Sequence, residues 1–259
     1  MKKIVSLVAV GILIASTAVA QESEALFDQK SFGVRGSLGA SILNISEKEE
    51  RELGSILSLV ATRLSGTTAS YSVDNDAAGT GGLAFWCNRN FTNFPALGIQ
   101  GEIGFLFNNG TEINAESKTY DSEAGVVTLE MKGKISYTTM EVPILLTYTV
   151  NKGGFFELIP HGGFYLSFPL GKCKEDFEIT AKGAGKTIPL YDEGTKDTIT
   201  NSVLFGMEIG ADLAINFSKT SALVFNTRYM HDFTELEVDN DEVACRSVFL
   251  LSAGYRYTF

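Results

Sequence analysis

The chain closes on Arg246–Phe259, RSVFLLSAGYRYTF. In an extended strand Phe249, Leu251, Ala253, Tyr255, Tyr257 and Phe259 share one face. Val248, Leu250, Ser252, Gly254, Arg256 and Thr258 share the other. The first face is apolar and aromatic to its end. The second becomes small and polar and carries an arginine. Such a strand meets a different solvent on each side.

The opposite end is built for export. Lys2 and Lys3 precede an apolar stretch from Ile4 to Ile14, and Ala18-Val19-Ala20 is a small-x-small cleavage site. Residues 1–20 are expected to be a cleaved signal peptide, and 21–30 a periplasmic lead. Beyond residue 20 no run approaches the ~20 apolar residues of a membrane helix. Any later insertion must then be by strands. The remaining chain of about 240 residues fits one barrel or sandwich. A formal charge of −10 disfavours nucleic acid and anionic surfaces as partners. Cys87, Cys173 and Cys245 are too few for a disulfide scaffold. A Cys173–Cys245 bridge and unpaired small hydrophobes are both open readings.

Seven further segments alternate with period two: Ser31–Leu43, Gly79–Asn90, Leu97–Asn108, Lys132–Val150, Gly153–Phe168, Asn201–Phe217 and Thr220–His231. The phase of the second is ambiguous around Phe85, Trp86 and Cys87. The polar faces are rich in glycine and only sparsely charged. That suits the crowded inside of a narrow closed barrel better than the wet face of a soluble sandwich. The inward ionisable groups are Arg35, Glu102, Glu141, Glu157, His161, Glu208, Asp212, Arg228 and Arg256. They read as an ion or substrate path, or as a structural network that plugs the lumen. The plug is preferred, because charges in a narrow interior must be paired or hydrated.

The connections alternate long and short. Segments 44–78, 109–131, 169–200 and 232–245 are expected to be external loops, joined on the other side by short turns. The first of these carries helical spacing over about 46–65. Ser46-x-x-Glu49 is a capping box, and Leu53, Ile56, Leu57, Val60, Ala61 and Leu64 form an apolar stripe ending near Gly66. Such a helix would be about 27 Å long.

Motifs for chemistry are missing. His161 and His231 are the only histidines, without metal-binding spacing. A His–Ser–acid site around His231 is conceivable, but a satisfied interfacial histidine is the stronger reading. Gly79-Thr80-Gly81-Gly82 lacks the lysine of a phosphate loop. Asp239-Asn240-Asp241-Glu242 lacks the glycine of a calcium loop. No catalytic residue, metal site or cofactor is expected.

Ser136–Tyr148 (SYTTMEVPILLTY) and Ile159–Phe168 (IPHGGFYLSF) resemble the PorT-like outer-membrane β-barrel family. Glu141, Pro143, Leu145, Leu146 and Tyr148 match its first motif, and Gly163, Tyr165 and Ser167 lie near its second. Arg228-Tyr229 is similar to its penultimate hairpin. The resemblance implies an outer-membrane barrel of about eight strands and brings no catalytic residues. The closing strand also looks like the last strand of such barrels, so Tyr255, Tyr257 and Phe259 are the expected assembly signal.

These readings combine into an all-β protein: an eight-stranded antiparallel transmembrane up-and-down β-barrel, residues 31–259, with one amphipathic helix in its first external loop. The location expected is the outer membrane of a diderm bacterium. The role expected is structural or surface-interaction, with adhesin-like loops. A small pore or hydrophobic-molecule conduit is the alternative, and a membrane-embedded enzyme comes third. Expected partners are outer-membrane lipid, periplasmic chaperones, the barrel-assembly machinery and an external protein or host ligand.

Overall fold

The computed structural model describes residues 27–44, 47–65, 67–121, 125–238 and 241–259. The expected signal peptide, Ser46, Gly66 and Asp239-Asn240 lie outside the described residues.

The elements in chain order are β1 (Phe27–Asn44), α1 (Glu47–Ser65), β2 (Ser70–Phe91), β3 (Leu97–Asp121), β4 (Gly125–Tyr148) and β5 (Phe156–Gly183). They continue with β6 (Lys186–Thr198), β7 (Leu204–Asn216), β8 (Ser221–Asp232), β9 (Leu236–Val238) and β10 (Asp241–Thr258). Eight of the strands pair antiparallel in the order β1-β2-β3-β4-β5-β7-β8-β10. β10 then pairs with β1, from Ser31↔Thr258 to Asn44↔Cys245, and closes the ring. The expected barrel is this ring, and each of the eight expected strands is one of its staves.

Two expectations need correction. The lead expected to end at residue 30 is already strand from Phe27. The external segments expected as loops are largely strand. β2 starts at Ser70, β3 runs to Asp121, β4 starts at Gly125 and β5 runs to Gly183. β6 folds back on β5 as a hairpin arm outside the ring. Several expected strands stopped near the point where the outward face ceases to be apolar, and the fourth was expected only from Lys132, but pairing continues past those points.

β4 shows why. Its outward positions Glu130, Lys132, Lys134, Ser136 and Thr138 are polar, and Met140, Val142, Ile144, Leu146 and Tyr148 are apolar. Its inward positions change from the apolar Leu129, Met131, Ile135 and Tyr137 to a mixed run in which Thr139, Glu141 and Thr147 are polar and Pro143 and Leu145 are not. One strand therefore swaps the polarity of its two faces near Thr138. β3 makes the same swap at a bulge between Leu106 and Asn109, where Asn108 adopts φ 58°. Below the swap the outside is apolar. On β10 this belt runs from Phe249 to Phe259, which at the usual strand rise and tilt is about 25 Å tall. Above the swap the outward positions of β3 and β4 are mostly polar, and an apolar cluster occupies the interior.

The upper interior holds the largest apolar cluster. Leu43, Ile113, Leu129, Met131, Ile135, Tyr137, Leu204, Leu236 and Val238 pack there with Leu57 and Ala61 of α1. The helix therefore buries part of its stripe in the barrel's own upper core. Ile56 and Val60, expected in the same stripe, stay exposed with Leu59. In β2 the ambiguous phase is settled: Trp86 points inward and Phe85 and Cys87 outward.

All three cysteines are free thiols. Cys173 sits fully buried in the upper core, and burial, reinforced by Glu175 and Asp197, pushes its thiol up to about 12. The thiolate is the reactive form. Maleimide at neutral pH should therefore leave Cys173 unlabelled in folded protein and modify it once denaturant is added. All three thiols should titrate without reductant. The belt makes a second prediction. Ile144→Arg, at the middle of the apolar run of β4, should cost about 2–4 kcal/mol in urea unfolding from phospholipid vesicles. Ser72→Arg, exposed above the belt, should change stability by less than about 0.5 kcal/mol.

Candidate functional site

The side chains with chemistry converge inside the barrel. Period-two alternation turns every second residue of each strand inward, and a narrow ring brings groups from opposite staves within reach. Arg35, Glu102, Glu141, Glu157, His161, Glu208, Asp212 and Arg228 are buried there, and Arg256 is partly buried. They fall into three tiers.

In the lower tier, near the short turns, Arg256 pairs with Glu157 and donates to Asn216 Oδ1 at 2.9 Å. Glu157 also accepts from the Gly153 backbone N–H at 2.6 Å. A polar cavity of about 30 Å³ opens beside them, bordered by Gln100, Trp86, Asn88 and Thr149. That is room for about one water.

The middle tier links five staves. Arg35 pairs with Glu102, and Arg228 Nη1 donates to Glu102 Oε1 at 2.8 Å. Arg35 also lies 3.6 Å from Asp212, whose Oδ1 accepts from Asn226 Nδ2 at 2.6 Å. Arg228 lies 3.5 Å from Glu208, and His161 Nε2 lies 3.8 Å from the same carboxylate. His161 has this space because its neighbour across the pairing is Gly210. A Cβ there would come within 2.5 Å of Nε2.

The upper tier includes residues that sequence reasoning missed. Arg246, 1% exposed, donates from Nε to Asp232 Oδ2 at 3.0 Å and from Nη2 to Oδ1 at 3.1 Å. Its Nη1 lies 2.9 Å from Glu141 Oε1. Tyr165 donates its hydroxyl to Asp232, and Thr139 and Ser167 donate theirs to Glu141. Gly206 leaves room for the Tyr165 ring. A signal for this tier was present in the parity. Arg246 is in phase with Val248 to Thr258, and Asp232 with Arg228 and Met230. Treating 232–245 as loop put both residues at its borders.

Between the tiers the lumen is filled by apolar side chains. Trp86, Ile159, Ala214, Ala222 and Val224 pack low in the barrel. Leu106, Tyr165, Met230, Val248 and Leu250 pack above the middle tier. Ion pairs and apolar packing thus alternate along the lumen among the described residues.

The His–Ser–acid constellation considered around His231 does not assemble. His231 Nδ1 meets Ser247 Oγ at 3.0 Å on the outer face. Asp232, its neighbour in sequence, points the other way and holds Arg246. Tyr255 and Tyr257 lie on the outer face of β10, and the ring of Phe259, just past its end, lies 5.4 Å from that of Phe32 on β1. Among the described residues no cluster of three or more metal-ligating side chains exists.

No known family model matches the chain, and no curated protein matches it. Solved structures that it is similar to include Ail, the attachment invasion locus protein of Yersinia pestis. That similarity has 12% identity, 89% of this chain, 98% of that one and a TM-score of 0.37. Neisserial surface protein A gives 12%, 88%, 97% and 0.38 for the same measures. A major outer membrane protein from Thermus thermophilus gives 13%, 89%, 99% and 0.39.

Removing the cation of the upper tier should be costly. Arg246→Met leaves Asp232 and Glu141 buried without their counter-charge, and should lower unfolding stability by about 3–5 kcal/mol. Adding Asp232→Leu should recover part of that loss, which a double-mutant cycle in detergent micelles would read.

Proposed function

We propose that this chain is an outer-membrane β-barrel protein of a diderm bacterium, closed to solutes, whose extended outer sheet acts as a surface for interaction. In this reading residues 1–20 direct export and are removed. Periplasmic chaperones and the barrel-assembly machinery deliver the rest, and Tyr255, Tyr257 and Phe259 serve as the assembly signal. Lipid then covers the apolar belt. The nine expected lumen residues, with Arg246, Asp232 and Tyr165, act as a structural plug.

One observation carries the reading: a lumen filled with ion pairs and apolar packing lies beneath strands that continue well past the belt. A barrel built only to anchor needs no such extension, and a pore needs no such filling. The outer part ends in the β5–β6 arm, where β6 pairs along its length with β5 alone. Ile188, Leu190 and Tyr191 are exposed on this strand. An edge strand with unpaired backbone groups is a ready template for an extended partner. Charges of both signs on the adjoining face, including Glu112–Lys134 at 2.8 Å, keep that face hydrated.

Purified protein in a planar bilayer should show no reproducible open-channel steps. Such steps would favour the pore reading and defeat this one. The same preparation should migrate differently on gels before and after boiling, as a closed barrel resists detergent unfolding.

A further inference from the structure

The base of the β5–β6 arm carries a charge pattern that the net charge of −10 conceals. On β5 the outward residues run from the apolar Phe164, Leu166 and Phe168 to Lys172 and Lys174. Lys174 stands directly opposite Lys196 of β6, and Lys172 donates from Nζ to the Lys196 carbonyl at 3.2 Å. From β3 to β6 the outward row at this point is Gly110, Ser136, Lys174 and Lys196, and it holds no carboxylate. Glu175 and Asp197 share the parity of Cys173 and so belong to the inner face. The next outward acid on β5 is Asp176, one row higher, opposite Lys134 and against Gly194.

Higher on the same sheet lysines are matched with acids. Lys134 pairs with Glu112, Lys118 with Glu116 and Lys182 with Glu130. Among the described residues no acid pairs in this way with Lys172, Lys174 or Lys196. Like charges directly opposite each other in a sheet are destabilising. An anion held between Lys174 and Lys196 turns that cost into attraction, and Ser136 in the same row offers a further donor.

The height of the row tells where the anion comes from. Ser136 lies four residues beyond Met140, the last apolar outward residue of β4. At the usual strand rise and tilt that is about 10 Å above the belt. The headgroup layer on each side of a bilayer is about 5–8 Å deep. Lysine closes the remaining distance by laying its stem along apolar surface and carrying its ammonium to the polar layer. We propose that Lys172, Lys174 and Lys196 form a docking site for the phosphate of an outer-leaflet lipid, which holds the base of the arm at the membrane surface. The proposal rests on the outer-membrane reading above. It also reverses, at one place, the repulsion from anionic surfaces that the net charge implies.

The full chain in phosphatidylcholine vesicles with a minor fraction of acyl-chain spin-labelled phosphatidic acid tests it. The immobilised share of the label reads contact with the barrel wall, and equally labelled phosphatidylcholine is the reference. Wild type should prefer phosphatidic acid. Lys174→Gln/Lys196→Gln should cut that preference by about fivefold or more, the effect of one lysine at an anionic surface. Lys132→Gln/Lys186→Gln removes the same charge higher on the sheet and should leave it unchanged. An unchanged preference in Lys174→Gln/Lys196→Gln would overturn the proposal, as would equal losses in both double variants. Displacement of the lipid by an equal concentration of inorganic phosphate would assign the site to a free ion, and would also overturn it. A chain that never enters the vesicles would defeat the outer-membrane reading itself, and the proposal with it.

Discussion

The pairing of β10 with β1 is the interaction on which everything else depends. A sheet in hydrocarbon must satisfy every backbone N–H and C=O internally, because an unpaired group there costs several kcal/mol. Only closure removes both edges. The fourteen register partners from Ser31 to Asn44 supply it, and they join the first strand of the chain to the last. The closing contact is also the longest in sequence, so the barrel becomes complete only once the C-terminal strand is in place.

Closure then creates a second constraint. Eight strands enclose too little space for bulk water, so whatever faces inward must be packed or paired. The chain answers with glycine opposite its largest inward side chains and with arginines set between carboxylates. Four buried or half-buried arginines hold most of the carboxylates, and the hydroxyls of Tyr165, Thr139 and Ser167 satisfy others. Glu208 lies between Arg228 at 3.5 Å and His161 at 3.8 Å.

Above the belt the physics reverses. The same strands leave lipid and enter water, so the hydrophobic effect now favours apolar groups inside. The swap near Thr138 on β4 and at the Asn108 bulge on β3 marks the boundary. α1 reports the same reversal, since Leu57 and Ala61 enter the upper core. The reversal also explains why the outer strands were mistaken for loops: a rule that seeks apolar residues on the lipid face finds none there.

Much of the barrel was legible in the residues. Alternation in eight segments marked the staves, and parity assigned Arg35, Glu208 or Arg256 to the inner face, because a strand's side chains have only two directions. The helix of the first connection was legible from its 3.6-residue stripe. The sequence alone could not choose partners across the lumen, since Arg246 meets Glu141 only after the three ring strands between them have been laid down. Nor could it separate the helix positions that pack, Leu57 and Ala61, from those that do not, Ile56 and Val60. Local periodicity determines which way a side chain points. Only closure decides what it meets, because the groups it meets come from distant strands.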